Sequence, residues 1–264
     1  MGPRFSDVYS LLFTYSYALR RRFDVFSDPA NPTQTNDIRS QVLGPAAVTD
    51  LSITDVRKKS SNLGQQLVRD TRDNQFDPQR GMRTSLAVTE GGLFPAGAIK
   101  FWKPSVDQSI HFPTFWKFVL SIHGNWAMVK PYGNNGRDDI IDELFHIGGS
   151  DTVRGYDLGR VGVLDGGEIA TVYNVEYKFP IAPDERGKTL LQGVLFYDIG
   201  GSWNNLSDVS YRTGSSQLGL KQGFGVGIRF KTPVFPLRLD WGHALNAAPG
   251  EAQSQFYFTV GSLF

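Results

Sequence analysis

"EIATVYNVEYKF", residues 168–179, alternates without a break. Ile169, Thr171, Tyr173, Val175, Tyr177 and Phe179 take the odd positions; Glu168, Asn174, Glu176 and Lys178 take even ones. Side chains of an extended chain point alternately to two faces, so this segment reads as a strand with one apolar face and one charged face. "KQGFGVGIRF", 221–230, repeats the pattern: Phe224, Val226, Ile228 and Phe230 lie opposite Lys221, Arg229 and three glycines. In 237–245, Leu237, Leu239, Trp241 and Leu245 oppose Arg238, Asp240 and Gly242. In the terminal segment, Phe256, Phe258, Val260 and Phe264 oppose Gln255, Tyr257, Thr259 and Gly261.

Extended outward, this reading gives about ten strands, near 5–24, 62–73, 81–90, 98–112, 117–130, 168–181, 189–203, 221–231, 235–245 and 254–264. Several exceed the usual globular strand of about five or six residues and reach the nine to eleven or so that cross a bilayer at a tilt. Some connections are short, such as 232–236, whereas those at about 25–61 and 131–167 are long. Short turns at one end and long loops at the other belong to an all-β, antiparallel transmembrane β-barrel. A soluble sandwich or barrel shows the same alternation with its apolar face inward, so the direction of that face separates the two readings.

Composition narrows the field. Lys and Arg number 27 against 26 Asp and Glu, so the basic excess of a nucleic-acid-binding protein is missing. There is no cysteine, which excludes disulfides and thiolate metal sites. No apolar run of about eighteen residues is present, as a transmembrane helix requires. The amino-terminal stretch lacks the ordered parts of a signal peptide and reads as a strand. No linker or composition shift divides residues 1–264.

Signs of catalysis are thin, and no enzyme activity or cofactor is expected. His111, His123, His146 and His243 lack metal-ligand spacing, and there is no G-x-S-x-G elbow. "GFGVG", 223–227, lies within a strand, where its glycines leave room for another backbone in the lumen. The acidic run 137–143 reads as a solvated loop, and 70–81 as a strand end and turn. Glu176 and Asp198 fall on the polar faces of neighbouring strands. "GGSDTVRGYDLGRVG", 148–162, supplies Arg154, whose planar guanidinium suits a carboxylate. Pairing with Arg154 and simple hydration in a wet lumen are both open for these carboxylates.

Several segments together resemble the carboxyl-terminal barrel of the BamA-type outer-membrane assembly insertases. These have mitochondrial and chloroplast relatives, TamA, and the two-partner secretion transporters. The carriers are "LVRDTRDNQFDPQRGMRTSLAV", "FHIGGSDTVRGYDLGRVG", "NVEYKFPI", "LLQGVLFYDIGGSW", "GFGVGIRFKTPVFPLRLDWGHAL" and "QFYFTVGSLF", spanning about residue 62 to the end. The resemblance implies that Val153, Arg154, Gly155 and Tyr156 form a motif on a loop that enters the lumen. It implies that Glu176 and Asp198 are the wall partners of Arg154. It also implies that Phe256, Phe258, Val260, Gly261 and Phe264 form a terminal strand signal beside a seam that opens sideways. The implied barrel has about sixteen strands, of which about ten are here, so the chain is expected to be the carboxyl-terminal part of a longer protein, with no POTRA domain present. The implied function is folding and insertion of β-barrel proteins by templating strands at that seam; the alternative is a polypeptide-translocating pore. The implied setting is the outer membrane of a bacterium or the organellar equivalent. Implied partners are membrane lipid, unfolded outer-membrane proteins and accessory assembly lipoproteins, with no nucleic acid.

Overall fold

A computed structural model describes residues 7–23, 55–93, 98–183, 189–231 and 237–260. The strands are β1 (Tyr9–Phe23), β2 (Asp55–Asp70), β3 (Gly81–Gly91), β4 (Phe101–Pro113), β5 (Val119–Met128), β6 (Lys130–Pro131), β7 (Ile169–Pro183), β8 (Thr189–Trp203), β9 (Lys221–Phe230), β10 (Leu237–Ala244) and β11 (Ser254–Val260). All pairings between them are antiparallel, and the order is β1-β2-β3-β4-β5-β7-β8-β9-β10-β11, with the two-residue β6 on β4. Each of the ten long strands pairs with its neighbour along the chain, the up-and-down order that short turns impose. β1 and β11 are the edges, and no pairing joins them among the described residues.

The sheet curls into a barrel wall. Lys231, beyond β9, forms an ion pair with Asp77 of the β2–β3 turn on the other side of the lumen. A cavity of about 600 Å³ is bounded by Gln66, Arg83, Ser105 and His123 together with Arg238 and Thr259.

The apolar face points outward. Leu195, Tyr197, Phe224, Val226, Leu239 and Phe258 are all exposed, while Asp198, Arg229 and Asp240 are at most 1 % exposed on the inside. A soluble barrel inverts this arrangement, because apolar side chains leave water and charges stay in it. The outer face is therefore built for lipid. At the short-turn end it carries Phe112, Phe115, Trp116, Phe118, Tyr177 and Phe179. Phe118 packs edge-on against Tyr177 with ring centroids 5.6 Å apart. Such aromatic belts mark the membrane–water boundary.

Two expectations are corrected. β2 begins at Asp55, not near residue 62, so the long loop before it is shorter than expected. Ser60 and Ser61 are buried there and pair with Ala18 and Tyr17 of β1, so backbone hydrogen bonding carries the strand on without apolar alternation. The acidic run is not a solvated loop but the 3-10 helix Arg137–Glu143. Its Ile140 is fully buried with Ile99, Phe101, Val129 and Leu144, while Asp139 pairs outward with Lys58 at 2.6 Å. Gly261 and Phe264 lie outside the described residues.

Candidate functional site: a loop clasped in the lumen

The connection from β6 to β7 leaves the long-loop end and turns back into the lumen. Ile147, Val153, Tyr156 and Val161 pack there with Ala170 and Val172 of β7 and Ala244 of β10. This apolar patch gives the loop a fixed seat, and the tip continues into a cluster of charges.

Arg154 is 1 % exposed. Its guanidinium takes Asp198 of β8 as a fork, with Nε donating to Oδ2 at 2.7 Å and Nη2 to Oδ1 at 2.8 Å. Its backbone N–H donates to the same carboxylate at 3.0 Å. Nη1 donates to Glu176 of β7 at 2.7 Å and reaches Asp240 of β10 at 3.4 Å. The guanidinium lies 3.5 Å from the ring centre of Phe196, so one face is stacked while the edge is hydrogen-bonded. Burial disfavours the charge, but the hydrogen bonds and charge of Asp198, then Glu176 and Asp240, outweigh it and raise the Arg154 pKa.

More charges surround this pair than the sequence disclosed. Arg229 of β9 pairs with Asp240 and lies 3.4 Å from Glu176. Arg238 donates to Asp240 at 2.8 Å and to the Ser150 carbonyl at 2.6 Å. Lys178 is 3.5 Å from Glu176, and Asp151 is 3.5 Å from Arg238. Three buried arginines thus meet three buried carboxylates, with Lys178 and the exposed Asp151 at the rim. Buried ions need that balance, together with near-complete hydrogen bonding. Asn174 extends it, donating to the Thr152 carbonyl at 2.7 Å and to Asp198 at 2.8 Å.

The neighbouring motif residues make contacts of their own. Gly155 has φ +103°, where other residues are strained, and a side chain on it would meet the β10 backbone at Ala244 N, 2.7 Å away. The Tyr156 hydroxyl donates to the Gln222 carbonyl of β9 at 3.1 Å and accepts from Asn246 N–H at 3.1 Å. Val153 is fully buried in the apolar seat. The wall glycines admit the loop: a side chain on Gly223 would collide with the Arg154 carbonyl, and one on Gly242 would lie 2.6 Å from Gly155 N.

The structure therefore brings Val153, Arg154, Gly155, Tyr156, Glu176 and Asp198 together. Phe256, Phe258 and Val260 stand apart on the outer face of β11, 76, 68 and 51 % exposed. Sequence reasoning did not single out Arg229, Arg238, Asp240, Asn174, Phe196 or Tyr257 as site residues. Inward parity marks all of them, but parity does not say where along the wall the loop comes to rest.

Fold and site together define an outer-membrane β-barrel whose lumen holds one of its own loops. A family model described as the Omp85 superfamily domain matches residues 9–264, and the chain belongs to that superfamily. Outer membrane protein assembly factor BamA of Nitratidesulfovibrio vulgaris (strain Hildenborough) is 28% identical over 205 residues, covering 74% of this chain and 24% of that protein. Outer envelope protein 39, chloroplastic, of Arabidopsis thaliana is 34% identical over 202 residues, covering 73% of this chain and 51% of that protein. The crystal structure of BamA from Haemophilus ducreyi lacking POTRA domains 1–3 superposes with a TM-score of 0.73 at 17% identity, covering 98% of this chain and 52% of that one. The chain thus spans from about a quarter to about half the length of these relatives.

Proposed function

We propose that this chain is the barrel region of an outer-membrane protein assembly insertase, which folds and inserts β-barrel proteins by offering a strand edge as a template. The observation that carries this reading is the clasped Arg154 loop beside β11, a strand with one sheet neighbour among the described residues. An edge strand presents unpaired N–H and C=O groups, and an incoming strand pairs with them whatever its side chains are. Many unrelated substrates are accepted on those terms without nucleotide or cofactor. The substrates are unfolded outer-membrane proteins, and accessory assembly lipoproteins are the expected helpers. Kinship with assembly factors named BamA supports the same reading.

A polypeptide-translocating pore is the second reading, favoured by the open cavity of about 600 Å³ beside the loop. Depletion in the native host separates the two. An insertase lowers many outer-membrane β-barrel proteins together. Loss of one secreted protein with the rest unchanged would replace it with the pore.

A further inference from the structure

β11 has the weakest support in the sheet. It is seven residues long, and among the described residues its backbone pairs only with β10, across positions 254–260. Its outward side chains Phe256, Phe258 and Val260 are more than half exposed, opposite Trp241, Leu239 and Leu237 of β10. From the lumen it is held by the loop. The Tyr257 hydroxyl accepts from Gly155 N–H at 2.9 Å and donates to the Tyr156 carbonyl at 2.7 Å. Gln255, two residues away on the same face, donates to Asp157 Oδ1 at 2.9 Å.

We propose that the lumen loop is the brace of β11, with the phenol of Tyr257 as the positioning group that ties loop engagement to whether this edge strand stays pinned. Arg154 seats the loop on β7, β8 and β10 through Glu176, Asp198 and Asp240. The next three residues then reach across to β11. Tyr257 bonds to main chain on both sides of the Gly155–Tyr156 link, so its partners exist only while the loop is seated. Withdrawal of the loop removes the hydroxyl's donor and acceptor together. The edge strand is then left with the β10 ladder alone and opens locally ahead of the rest of the sheet. If the assembly reading holds, seating of the loop governs how readily the β11 edge is offered to a substrate; the brace itself does not depend on that reading.

Hydrogen–deuterium exchange of the full chain in lipid nanodiscs tests it, with no assay of activity. Tyr257→Phe should speed exchange of the β11 amides bonded to β10 roughly tenfold or more, the scale of losing two hydrogen bonds, and leave β7 and β8 unchanged. Thr259→Val, on the same face but at the open cavity, should leave β11 exchange at the parent rate. Arg154→Ala should speed β11 exchange too, and adding Tyr257→Phe should then change it no further. If Arg154→Ala gives no folded barrel, Asp157→Ala takes its place and removes the Gln255 contact from the loop side. Equal β11 protection in Tyr257→Phe and the parent would overturn the brace. So would independent, multiplying effects of Tyr257→Phe and Arg154→Ala.

Discussion

The two halves of the barrel wall share an outside and differ within. Outward, β3 and β4 present Leu86, Val88 and Val106, much as β8 and β9 present Leu195, Phe224 and Val226. Inward, β7 to β10 carry Glu176, Asp198, Arg229, Arg238 and Asp240, all buried around the loop. β2 to β4 carry Gln66, Ser85, Ala87 and Ser105, which border an open cavity. Lipid fixes one face of every strand, whereas the inner face is free to specialise. Where a loop fills the lumen, charges are dry and each depends on the others. Where the lumen is open, small side chains sit beside partly exposed pairs such as Arg83–Asp107, which depend on few neighbours.

The contrast is broken most severely at Arg154. Arg154→Ala leaves Asp198, Glu176 and Asp240 short of their shared cation, and stranding one partner of a buried pair costs about 3–5 kcal/mol. Thermal unfolding in detergent should show that loss; on the proposed function, assembly should fail with it. Gly223→Val comes next: its side chain needs the space of the Arg154 backbone, and overpacking costs about 1–3 kcal/mol. Limited trypsin digestion should then cut after Arg154, which is 1 % exposed in the parent. In the open half, Arg83→Ala removes a partly exposed pair with Asp107 at 3.2 Å and should cost about 1 kcal/mol or less. Ala87→Leu, which extends into the cavity, should change stability by about 0.5 kcal/mol at most. If Arg83→Ala proves as costly as Arg154→Ala, the halves do not differ in the way described.

Much of this was legible in the sequence, for identifiable reasons. Period-two alternation located the ten long strands because lipid enforces it on every one. Residues 55–61, "DVRKKSS", escaped because no apolar alternation marks them. Ile140 escaped because four acidic residues surround it in 137–143, and the two isoleucines between them looked incidental. Glu176, Asp198 and the 148–162 loop were singled out, the first two by parity and all by resemblance. The role of Asp240 was not, since its meeting with Arg154 depends on how deep the loop sits. Tyr257 was read only as the polar side of an aromatic strand; nothing local to it names a partner 101 residues earlier.

That last distance bears on how the chain folds. Arg154 meets Asp198 and Asp240 across 44 and 86 residues, and Gly155 meets Tyr257 across 102. Hairpins such as β7–β8 need only a short turn to close, while contacts of such long reach must wait for the chain between them to be placed. The clasp is therefore a late event, formed when β8, β10 and β11 already stand. A chain stalled before β11 would have its wall carboxylates in position and its loop without a final hold, so closing the clasp marks the end of folding.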